Sequence, residues 1–85
     1  MRKIKNAEKL LLDLLYRLEE DPYLVFSVAE FVKNMELFSD YAGADVLPED
    51  FSAVTYLLLN LDIYDKNIDP WGHYLNSGKK EGRQF

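Results

Sequence analysis

The chain's rare residues gather in one stretch, Asn67-Ile68-Asp69-Pro70-Trp71-Gly72-His73-Tyr74-Leu75-Asn76-Ser77-Gly78-Lys79-Lys80-Glu81-Gly82-Arg83. It holds the only Trp and the only His, so any chemistry that needs imidazole must happen here. The chain has no Cys, which excludes a Cys–His pair, thiolate metal ligands and disulfides. A Ser–His–acid triad would draw on Ser27, Ser39, Ser52 or Ser77, yet none sits in a Gly-x-Ser-x-Gly elbow. No glycine-rich phosphate loop is present. Asp65-x-Asn67-x-Asp69 has the spacing of the first three ligands of a calcium loop. That loop fails at its sixth position, where Pro70 replaces the turn glycine, and at its twelfth, where Asn76 replaces the bidentate Glu. The reading preferred for this triplet is an Asx-rich turn that ends in a helix cap. No catalytic residue, cofactor or metal ligand is assigned.

The same stretch is well formed as structure. Asp69 is a good N-cap, because its carboxylate can accept the free N–H groups of a first helical turn. Pro70 at the first helical position gives up an N–H that had no partner there. Trp71, Tyr74 and Leu75 share a face, and Gly78 is read as the left-handed residue that ends a short helix over 70–77.

The elements that must position this stretch read as helices. Over 6–20, with Asn6 as cap, Ala7, Leu11, Leu14, Leu15 and Leu18 make an inner stripe, and Lys9, Asp13, Arg17 and Glu20 lie opposite. Leu10, Leu12 and Tyr16 widen the apolar arc beyond what a single buried stripe needs. Asp21-Pro22 repeats the cap logic of Asp69-Pro70 and opens a second helix over 22–37, with Val25, Val28, Ala29, Val32 and Met35 inward. Residues 39–47 lose the period around Gly43 and read as a loop, the best place for a hinge. Pro48 opens a third helix over 48–60, whose inner face is Phe51, Val54, Leu57, Leu58 and Leu61. A turn is expected at 62–66, with a short strand as the alternative. The expectation is one all-α domain, a small bundle of four to five short helices with a Gly-terminated C-terminal cap helix.

Residues 51–83 resemble a short bacterial helical repeat module found in surface and exported proteins and beside glycosyltransferase domains. The residues that carry the resemblance are Phe51, Tyr56-Leu57, Asn60, Asp62-Ile63, Pro70, His73-Tyr74, Gly78, Glu81, Gly82 and Arg83. Leu61 stands where the module usually has Pro. The resemblance implies a compact unit of short helices with no reaction of its own. It makes Asp69, Pro70, His73, Tyr74, Gly78, Glu81, Gly82 and Arg83 a structural lock. In it His73 bonds a helix end or a carboxylate such as Glu81, and Arg83 pairs with Asp62 or Asp65.

Composition narrows the rest. With 85 residues the chain makes one small domain, which buries only about 60–65% of its unfolded surface. Hydrophobic residues are 48% and aromatics 14%, rich for that size. The net charge of −5 argues against direct nucleic-acid binding, which needs a basic stripe. The bases cluster at Arg2, Lys3 and Lys5 and at Lys79, Lys80 and Arg83. No uncharged apolar run reaches the ~18–20 residues of a membrane span, and no signal peptide is expected. A cytoplasmic location follows as the expectation.

These observations favour a non-catalytic protein–protein interaction module, a small adaptor or regulator, or a self-associating protein such as a homodimer. The candidate contact residues are Leu12, Tyr16, Tyr23, Tyr41 and Trp71, with Tyr64 a further aromatic of this kind. The alternative is an acidic inhibitor of phage or mobile-element type that blocks a basic, nucleic-acid-handling partner.

Overall fold

The computed structural model describes the backbone of residues 2–85 and the side chains of residues 9–85. The protein is an all-α bundle, with no strand among the described residues. α1 spans Arg2–Glu20, α2 Leu24–Glu36, α3 Ala53–Leu59 and α4 Leu61–Asp65. α5 (Pro70–His73) passes without a break through a π-helical turn, Tyr74–Gly78, into a last turn, α6 (Lys79–Glu81).

Leu24 and Val28 of α2, Leu57 of α3 and Ile63 of α4 form the buried centre. Leu14 and Leu18 of α1 and Phe31 and Val32 of α2 close around it. The ring of Phe31 meets Tyr64 edge-on, centroids 5.6 Å apart. A second, aromatic core lies beneath α5: Phe51, Tyr56, Tyr74 and Phe85 stack with neighbouring centroids 5.0–5.7 Å apart. Such tilted and edge-on pairs add about 0.5–1.5 kcal/mol each beyond their buried area.

Several boundaries differ from the sequence reading. α1 begins at Arg2, so Asn6 lies inside the helix; its side chain, and the place of Ala7 on the stripe, lie outside the described side chains. Asp21-Pro22 does not open α2. The Asp21 carboxylate accepts the Tyr23 N–H at 3.1 Å and its carbonyl accepts the Leu24 N–H, so the dipeptide forms a turn one step before the helix. Pro48 likewise stands in a turn, and Ser52 caps α3 by accepting the Thr55 N–H at 3.2 Å. The turn expected at 62–66 is largely the helix α4, started by the buried Asn60. Of the inner stripes, Leu14 and Leu18 do face inward, but Leu11, Leu15, Val25 and Ala29 are exposed. The buried edge of α1 runs along Leu14 and Leu18, to one side of that stripe's centre. An arc as wide as that of α1 leaves its centre undetermined by periodicity.

Candidate functional site

The lock residues come together around a seam between α3 and the 70–81 helix. Asp69 caps α5: one carboxylate oxygen accepts the N–H groups of Trp71 at 3.0 Å and Gly72 at 3.2 Å. The other accepts the Ser39 hydroxyl at 2.5 Å, and Ser39 Oγ in turn accepts the N–H groups of Tyr41 and Ala42. One carboxylate thus holds both the start of α5 and the start of the 39–47 loop. Tyr41 then lies across Gly72, where a Cβ would come within 3.0 Å of its ring.

His73 Nδ1 and the Tyr56 hydroxyl are hydrogen-bonded at 2.7 Å. The partner is therefore a buried phenol from α3, not Glu81. Burial pushes the Tyr56 hydroxyl up to about 12, and the nearby acids Glu81 and Asp62 add to this against the opposing effect of Arg83. The same hydroxyl fills the space beside Gly78, where any Cβ would overlap it. Gly78 is right-handed at φ −58° and does not end the helix. Its work is to let the tyrosine approach, and the helix widens to a π turn at this point.

Gly82 is the residue that ends the helix, at φ 68°. The Gly82 N–H reaches the Lys79 carbonyl at 3.2 Å and the Arg83 N–H the Gly78 carbonyl at 3.0 Å, a Schellman closure. Arg83 then donates to Glu81 at 2.6 Å and to Asp62 and Asn60 at 3.1 Å each. Asn60 is only 3% exposed, and its amide donates to the Tyr56 carbonyl at 2.7 Å and the Gln84 carbonyl at 2.9 Å. Burial alone would raise the Asp62 carboxyl, yet the hydrogen bond and charge of Arg83 prevail and hold it below its ordinary value. Asp65, the other candidate partner of Arg83, is taken by Arg17 of α1 at 2.9 and 3.0 Å.

The Asp65, Asn67 and Asp69 triplet therefore has other work. Asp65 binds Arg17, Asp69 caps α5, and Asn67 turns the chain at φ 58°. Trp71 is 8% exposed and belongs to the interior, which removes it from the contact residues. Tyr64 is half-buried against Phe31.

Several large apolar side chains remain exposed. Leu11, Leu12, Leu15 and Tyr16 run along the outer side of α1, Tyr16 at 68% exposure. Leu12, Leu15, Tyr16 and Glu19 line a shallow groove of about 270 Å³. Tyr23, Phe26, Leu37, Phe38 and Val46 are also exposed, and Tyr41 sits at 40%. No helix of the described residues is long and apolar enough to cross a membrane. Comparison with family models, with curated proteins and with solved structures returned no match to this chain.

Proposed function

We propose that this chain is a non-catalytic protein–protein interaction module that contacts its partner through the outer face of α1. The observation that carries the reading is the division of α1. Leu14 and Leu18 are engaged in the core, while Leu11, Leu12, Leu15 and Tyr16 continue the same apolar arc into solvent. A helix whose task ended at the core would carry polar residues there. The C-terminal half, in this reading a copy of the helical module it resembles, supplies the rigid base. Its polar side chains are spent on one another: His73 on Tyr56, Arg83 on Asn60, Asp62 and Glu81, and Asp69 on Ser39. That leaves the imidazole and the carboxylates with structural work, and the module acts in the cytoplasm as an adaptor or regulator.

A photoreactive benzoylphenylalanine at position 16, introduced in the native host, tests this. The expected result is a light-dependent adduct from position 16 and none from position 80, an exposed lysine of α6. The absence of an adduct at 16, or equal adducts at both positions, contradicts the proposal.

A further inference from the structure

The occupant of the α1 face can be read from the charges at the two ends of the helix. Arg2, Lys3 and Lys5 lie in its first turns, and Glu19 and Glu20 in its last turn, with Asp21 directly after it. This order opposes the helix macrodipole, which favours acids at the N-terminus and bases at the C-terminus by about 0.3–1 kcal/mol each. The one base of the last turn, Arg17, is engaged by Asp65. A helix laid antiparallel over α1 with the same charge order would set its acids over these bases and its bases over these acids.

We infer that this helix is α1 of a second copy, and that the chain forms an antiparallel, two-fold dimer centred on Leu12. The inference rests on the proposal that the α1 face is a contact surface. Lys5 and Glu19 each lie seven residues from Leu12, and Lys3 and Asp21 each lie nine. Seven residues are almost two helical turns, so 5, 12 and 19 fall on one stripe of the helix, about 10 Å apart along it. A two-fold axis through Leu12 sets Leu12 against Leu12 of the second copy and pairs Lys5 with Glu19 twice, because an isologous contact repeats itself. Leu11, Leu15 and Tyr16 flank the centre and shelter it from water, and all three are exposed in the single chain. The +3 end and the −3 end of each copy are then matched, where a parallel pairing would stack like charges at both ends.

Sedimentation equilibrium on the whole chain, the Lys5→Glu and Glu19→Lys single variants and the Lys5→Glu/Glu19→Lys double variant tests this. Far-UV circular dichroism and Trp71 fluorescence report on the fold of each. Twice the 10.0 kDa chain mass is expected for the wild type. Either single reversal turns two attractions into two repulsions and weakens the dimer about tenfold or more, and the double variant recovers to within about threefold. A folded wild type that stays monomeric at every concentration overturns the inference, as does a dimer that does not respond to either reversal. The photoreactive probe keeps the two readings apart. An adduct that is not a multiple of this chain leaves the interaction face standing and removes the second copy. No adduct removes both.

Discussion

The Tyr56 hydroxyl occupies the space that a side chain on Gly78 would need, and from there it bonds His73. Position 78 is thus closed to larger residues by a neighbour and not by its own backbone. Gly78→Ala should destabilise the protein by about 2–3 kcal/mol, as overpacking in a close-fitted interior does. For a domain this size that is a fall in Tm of roughly 10–20 °C, read by Trp71 fluorescence. In a Tyr56→Phe background the oxygen is gone and the nearest remaining atom is the ring carbon at 3.1 Å. The cost of Gly78→Ala should then fall by half or more. Equal costs in both backgrounds would show that the hydroxyl is not the obstacle.

Tyr56 should also set the alkaline limit of the fold. Its folded pKa of about 12 lies above the ordinary value of 10 for an exposed phenol. The folded state therefore favours the protonated form. Its contribution is complete below pH 10 and is lost as pH rises through about 12. Tyrosinate absorbance should show one of the six tyrosines ionising late and together with unfolding. In Tyr56→Phe that late step should be missing.

The C-terminal tail is predicted to be held by Asn60 and Arg83 together. Asn60→Ala strands the Tyr56 and Gln84 carbonyls that its amide serves and should cost about 2–3 kcal/mol. The Asp62 carboxyl, depressed by Arg83, gives stability that is present above its ordinary value of 3.8 and is lost as pH falls below it. In Arg83→Ala the loss of stability between pH 5 and 3 should be shallower than in the wild type, measured by urea unfolding at each pH.

The helical composition and the cap at Asp69 were legible in residue types and spacing, and the module resemblance implied an Arg83 pair with Asp62 or Asp65, of which the structure shows Asp62. Each depends on contacts within a few residues or on a charge with few available partners. The role of Gly78 was not legible, because a glycine that admits a distant tyrosine and a glycine that ends a helix have the same sequence signature. Of the two, Gly82 has the left-handed φ at which this helix ends. Ser39 was missed for the same reason: its link to Asp69 spans 30 residues. Trp71 looked like a contact residue because its amphipathic type is common at interfaces, but burial is decided by what the rest of the chain folds onto it.

The Asp65-x-Asn67-x-Asp69 spacing should be inert toward calcium. Binding there would have to break the Arg17–Asp65 pair and the α5 cap at once. Thermal unfolding in calcium and in chelator should give the same Tm. Arg17→Gln should lower stability by no more than about 1 kcal/mol, and less at high salt, because the pair is half-exposed.

On the proposed reading the outer face of α1 serves contact and contributes little to the fold of the single chain. Urea unfolding of Leu12→Asp/Leu15→Asp at concentrations too low for association, with Leu14→Asp alongside, separates the two roles. The double variant should keep wild-type stability within about 0.5 kcal/mol. Leu14→Asp, on the buried side of the same helix, should lose several kcal/mol. A double variant that unfolds as readily as Leu14→Asp would make that face part of the core and not a contact surface.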